Sequence, residues 1–296
     1  MRLPSWIAQH LAALRALIIL TVLTGILYPV VITIVAQLPG LKHRADGSMV
    51  KVGDTTVGSS LLGQNFTDKD GNALVQYFQS RPSAAGATGY DPTATSASNL
   101  GPESIVDVLP DPSVKDDTGK PSLLTQVCTR SLAVGKLEGV DGSRPYCTAG
   151  GVGAVLGILY RDGGTGPITR VVSLNEACPA TPFIAQYQSV TVECAKFGDD
   201  YSKAVVKGIR GSAPDNPAVP ADAVTASGSG LDPQISVAYA KLQAARVAKA
   251  RGTDVATVQK LIDQYTAGRA LGFIGEPAVS VLPLNLALDK QYPFKS

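Results

Sequence analysis

Residues 16–36, ALIILTVLTGILYPVVITIVA, run for 21 positions without a charged side chain. As a helix rising about 1.5 Å per residue, the run reaches roughly 31 Å, enough to cross a hydrocarbon core. A cleaved signal has an apolar region of only about 7–15 residues and a small-x-small exit. This run is longer and leaves through VAQLPG. Residues 16–38 are therefore read as a retained transmembrane helix, ahead of a cleaved signal or a buried soluble helix. Thr21 and Gly25 form a small-xxx-small pair and Tyr28–Pro29 breaks the backbone ladder, so Thr21, Gly25, Tyr28 and Pro29 are the expected face for a partner helix. The plainer alternative is that such residues are simply common in membrane helices.

Charge does not orient the helix, because Arg2 and Arg15 precede it while Lys42 and Arg44 follow. The cysteines do more. Cys128, Cys147, Cys178 and Cys194 fall in one central region without a CxxC pair. They read as disulfides in an oxidising space, with three connectivities open. Residues 1–15 are thus placed in the cytoplasm and residues from about 40 onward outside it, in the plasma or inner membrane.

The whole chain holds 45% hydrophobic and 17% charged residues, compatible with a packed core. A net charge of +2 without a basic run excludes a nucleic-acid footprint. Residues 48–66 alternate around Gly53, Asp54 and Gly58 and predict a β-hairpin. Residues 77–104 are rich in Ser, Ala, Gly, Thr and Pro and predict a long irregular loop. Residues 105–214, with glycine pairs, the four cysteines and alternating ITRVVSLN and QSVTVEC, predict a β-rich insertion. Asp232–Pro233 reads as a helix N-cap followed by proline at N1, opening a helix over 234–251. A second helix is expected from Thr253 to Gly268, then a strand and short helix in PAVSVLPLNLALDK. The fold class is α/β (α+β): an extracytoplasmic domain of residues 39–104 and 215–296 on one membrane helix, with the disulfide-containing insertion between.

Chemical motifs are scarce. Both histidines, His10 and His43, flank the apolar run, so a serine nucleophile elsewhere lacks the usual base. KDDTGKP (115–121) lacks the lysine of a phosphorylated DKTG and the second copy of an aspartic protease. There is no GxxxxGK[ST], no HExxH and no calcium loop, so no metal site is expected. The remaining stretch, VTASGSGLD (224–232), is a structural turn, a partner contact or an anion cradle whose glycine amides lead to a helix N-terminus.

Beyond these readings, VTASGSGLDPQIS, QAARVAKARG (243–252) and LPLNLALDK (282–290) resemble the C subunit of the Kdp potassium-transporting P-type ATPase. Tyr28–Pro29, GSSLLGQNF (58–66), YFQSRPSA (77–84) and SNLGPES (98–104) agree in order. The resemblance leaves 105–214 unaccounted for. It implies a non-catalytic accessory subunit, in complex with a channel-like potassium-binding subunit, a P-type ATPase subunit and a small membrane peptide. Potassium would be handled by those partners, and no cofactor would be held firmly. Family descriptions of a chaperone raising the pump's ATP affinity imply a partner or nucleotide contact at Thr225, Ser227, Gly228, Ser229 and Gly230. Further loop contacts are implied at Gln64, Asn65, Arg81, Ser83 and Asn99. The rival expectation is a membrane-anchored hydrolase using a Ser–Lys pair, or an envelope-ligand binding protein.

Overall fold

The computed structural model describes residues 4–95 and 103–294 and divides into two compact units, residues 1–61 and 62–296. In the first, α1 (Ser5–Val22) passes through a π turn (Leu23–Leu27) into α2 (Tyr28–Ala36). The continuous 32-residue helix has a mean hydropathy of 2.5 in its most apolar window, and none of that window is buried within the protein. It begins well before the expected residue 16, because SWIAQHLAALR favours helix on its own. Pro29 accounts for the π turn. Without an N–H on residue 29 the Gly25 carbonyl loses its donor, and the widened turn sends Tyr28 N–H to Leu23 O, five residues back. Thr24 and Thr33 donate their hydroxyls to Leu20 O and Pro29 O at 2.7 and 2.8 Å. A short α3 (Lys42–Ala45) then precedes the hairpin of β1 (Met49–Val52) and β2 (Thr55–Ser59), turned at Gly53–Asp54 as expected.

The second unit carries two sheets. Strands β3 (Val155–Tyr160), β4 (Ile168–Ala177), β5 (Gln186–Tyr187), β6 (Val190–Ala195) and β7 (Val205–Gly208) order as β5-β6-β4-β3-β7, antiparallel except for β4 against β6. Period-2 alternation sends Val155 and Val172 to one buried cluster and Leu156 and Val171 to another. That double-sided burial is why these strands read as continuous apolar runs. Ahead of them lies α4 (Leu123–Glu138), which the β-rich expectation missed. Its signals are ordinary: Ser122 accepts from Thr125 N, and Gly139 turns left-handed at φ 69°. Its apolar stripe is interrupted by Thr, Ser and Cys, which hid the period. The disulfides are Cys128–Cys147, joining α4 to the chain beyond it, and Cys178–Cys194, joining the residue after β4 to β6.

The C-terminal third forms β8 (Gln234–Ser236), α5 (Val237–Ala250), α6 (Val255–Gln264), β9 (Thr266–Ala267), β10 (Ala278–Ser280) and α7 (Val281–Gln291), with a sheet in the order β8-β10-β9. The expectation of a helix capped by Asp232 is corrected here. Residues 234–236 pair with β10 as a strand, and α5 is capped by Ser236, which accepts from Tyr239 N. The second helix starts at Val255 behind an Asp254 cap and stops at Gln264, because Thr266 is taken up by β9. Phe78, Ile235, Val247, Ile262, Val279, Leu284 and Leu288 form the main core, and Val127 and Val134 of α4 pack against it.

Phe78 lies on a segment, residues 75–82, that belongs to no strand, yet side chains satisfy its backbone. Asn285 accepts from Phe78 N at 2.9 Å and donates to Phe78 O at 3.0 Å. Gln243 does the same for Gln79 at 2.6 and 3.1 Å. Arg251 donates to Gln76 O, and Arg246 to Val75 O and Tyr77 O. Arg246 also forks onto Glu138 at 3.0 and 3.1 Å, with the Glu138 side chain fully buried. Burial pushes the Glu138 carboxyl above its ordinary pKa, opposed by the Arg246 charge. Replacing Asn285 by leucine leaves a buried N–H and C=O without partners. The expected loss is about 2–4 kcal/mol of stability, read as a lower denaturant midpoint of the full chain. An unchanged midpoint contradicts the role given to Asn285.

Candidate functional site

The stretch 224–232 folds against residues 81–90, and each side positions the other. Arg81 donates to Asp232 Oδ2 at 2.8 Å and to Ala226 O and Thr225 O at 3.3 and 3.4 Å. Ser227 N reaches Pro82 O at 2.9 Å. Ser83 Oγ donates to Gly230 O at 2.8 Å and accepts from Tyr90 N and Ala85 N. Tyr90 donates to Arg81 O at 2.6 Å, and burial raises its pKa to about 12. Asn65 donates to Thr88 O. The residue before Gln64 closes the other flank, Gly63 N donating to Leu231 O at 2.8 Å.

Two glycines are forced by this packing. A Cβ on Gly63 would collide with the Tyr90 ring and Asp232 O, and one on Gly230, already at φ 73°, would collide with Ala85. Gly228 differs, with open space where a Cβ would stand.

The hydroxyls are not equivalent. Ser227 is 5% exposed, and its Oγ accepts from Gly230 N at 3.0 Å and Asp232 N at 3.4 Å. Ser229 accepts from Leu231 N and faces Asp232 Oδ1 at 3.5 Å. Thr225 returns its hydroxyl to Ala221 O. The anion cradle expected from the sequence loses its helix, because β8 intervenes. The true N-terminus of α5 is occupied by Asp222, which accepts from Ser236 N and Oγ at 2.7 and 2.8 Å. No lysine or histidine bonds to Ser227 or Ser229 among the described residues, which leaves the Ser–Lys expectation without its base. No group of acidic, His or Cys side chains among them could hold a metal.

Thus Asn65, Arg81, Ser83, Thr225, Ser227, Ser229 and Gly230 come together, with Gln64 next to them in the chain. Asn99 lies outside the described residues. In the first unit, Thr21 and Gly25 share a helix face; a Cβ on Gly25 would meet only the Thr21 methyl at 3.9 Å, and Tyr28 is 64% exposed. Sequence reasoning missed Arg130, which donates to Val224 O, and Arg144, which donates to Val219 O. Only their unpaired positions on and beyond a hidden helix could have signalled them.

The family model for the K+-transporting ATPase c chain, KdpC, matches residues 10–107 and 183–290, well over half of the chain. The chain belongs to the KdpC family. It is similar to the potassium-transporting ATPase KdpC subunit of Beijerinckia indica, 33% identical over 288 residues, 97% of this chain and 96% of that one. The corresponding subunit of Rhodospirillum rubrum is 34% identical over 93% and 91%, and that of Mycobacterium tuberculosis H37Rv 33% identical over 95% and 98%. An alignment of 288 residues necessarily includes the central segment that the family model skips, so that segment is shared with such relatives. The KdpC assignment makes the chain a subunit of a membrane potassium-transport complex, with other subunits as its partners.

The two serines separate structure from surface. Ser227→Ala should lower the melting temperature by a few degrees, since the half-buried Asp232 N loses its hydroxyl acceptor and the buried Gly230 N keeps only Ser227 O at 3.2 Å, a loss of about 1–2 kcal/mol. Ser229→Ala should leave it within a degree or so, and equal shifts would contradict the distinction.

Proposed function

We propose that the chain is a non-catalytic accessory subunit that assembles and stabilises the channel-like potassium-binding subunit and the P-type ATPase subunit, together with a small membrane peptide. In this reading residues 1–15 face the cytoplasm, the helix from residue 16 onward crosses the plasma or inner membrane, and residues from about 40 onward lie outside. The observation that carries it is the N-terminal helix. The apolar stretch of this 32-residue helix finds no burial within the protein, so lipid and other helices supply it. Gly25 offers a partner helix close approach beside the widened turn that Pro29 imposes.

The two disulfides support the extracytoplasmic placement. A non-catalytic role is supported by the internal use of the Ser227 and Asp222 acceptors. Potassium is then handled by the partner subunits, and this subunit holds no cofactor firmly. An effect on the ATP affinity of the pump subunit travels through packed helices rather than through residues 225–230 touching ATP. A membrane about 30 Å thick separates that stretch from cytoplasmic ATP.

Two measurements test the reading. Replacing Gly25 and Pro29 together by leucine should reduce co-purification with the channel-like subunit in mild detergent several-fold; full recovery would make the helix an anchor alone. Ser227→Ala and Ser229→Ala, singly, should leave potassium-stimulated ATP hydrolysis of the intact complex within a few-fold. Lost turnover with every subunit present would restore the nucleotide contact.

A further inference from the structure

A cavity of about 760 Å³ opens between α4 and the segments around residues 65–73 and 79–82, within the size range of small-molecule sites. It lies apart from Ser227 and Ser229, neither of which lines it. One wall is apolar, built by Phe66, Ala133, Val134 and Leu137. Its charged lining is of one sign: Arg81, Arg130 and Lys136 line it, and among the described residues no Asp or Glu does.

The two guanidiniums converge. Arg130 donates to Val224 O at 3.1 Å while Arg81 donates to Thr225 O and Ala226 O, so both hold one run of three carbonyls. Arg81 has Asp232 as a counter-charge. Among the described residues Arg130 has only neutral acceptors, Val224 O and Gln126 Oε1, although it is partly buried and burial works against its charge. Arg81 Nε and Ser80 Oγ are closed off behind the lining, Ser80 Oγ beside the Tyr90 hydroxyl, so they do not face the cavity. A half-buried guanidinium without a counter-charge is costly unless something accepts from it.

We infer that this cavity is a binding site for a small amphipathic oxyanion, its acidic head group on Arg130 with Arg81 and Lys136 beside it and its apolar body along Phe66, Val134 and Leu137. Charge-assisted bonds to a guanidinium fix the head, and the α4 wall selects against a bare inorganic ion. A free phosphate ester and a lipid head group share this chemistry.

The test uses the full chain in phosphatidylcholine nanodiscs, followed by amide hydrogen exchange. Hexyl phosphate should slow exchange at residues 79–82 and 130–137, and inorganic phosphate should do so only at much higher concentration. Arg130→Gln should weaken the hexyl phosphate effect about tenfold, the loss expected of one charge-assisted bond. Ala133→Trp, which fills the cavity, should abolish it, while both variants keep the ligand-free exchange pattern. Equal protection by dihexanoyl phosphatidylglycerol would assign the head group to a lipid; protection by hexyl phosphate alone would assign it to a free ester. Either supports the site. No protection by either amphiphile, protection that persists in Arg130→Gln, or equal potency of inorganic phosphate would overturn it. Assembly of the complex is read separately, by co-purification, so failure here leaves that role standing.

Discussion

The second unit is organised by a backbone segment that has no sheet to join. Residues 75–82 cross the main core with Phe78 fully buried, so their N–H and C=O groups need acceptors and donors away from water. α5 and α7 provide them through Gln243, Arg246, Arg251 and Asn285. The two carboxamides imitate a neighbouring strand, each giving one donor and one acceptor to a single residue. Because α4 is fixed to the same place through Glu138 and Arg246, the clamp sets the position of three helices. It also sets that of Arg81, two residues beyond Gln79, and through Arg81 the loop 225–232.

The buried ion pair within this arrangement is a matter of geometry more than of stability. Removing a carboxylate from water is expensive, and the raised pKa of Glu138 records it. The pair persists because Arg246 is at once committed to two backbone carbonyls and to Gln243. Losing either charge would strand the other in the core.

Legibility in the sequence followed the range of the forces involved. The N-terminal helix, the 49–59 hairpin and the strand and helix at 278–291 rest on local periodicity and turns, and they were readable. The start of α5 was not. Asp232–Pro233 has the local form of a helix cap, but Arg81 captures the carboxylate and β10 captures residues 234–236. Both partners are distant in sequence. The helix α4 was hidden for a different reason: it buries Thr125, Cys128, Ser131 and Gly135, small or polar residues that blur an apolar stripe. At the loop, the residues left a structural turn, a partner contact and an anion cradle open. The Ser227 hydroxyl serves two amides three and five residues ahead, as a structural turn requires.

The clamp also dictates an order of events during biosynthesis. Phe78 waits for Asn285, 207 residues later, and Gln79 for Gln243, 164 residues later. Gln79 gains its partner with α5, but until the last helix is delivered Phe78 remains without Asn285 and the main core remains open. The two disulfides, by contrast, close loops of only 19 and 16 residues, and short closures are fast. As the chain emerges from its N-terminus, the cysteine-bearing sheet is therefore able to mature while the surrounding domain is still incomplete. A truncation that removes α7 should strike the beginning of the domain as hard as its end.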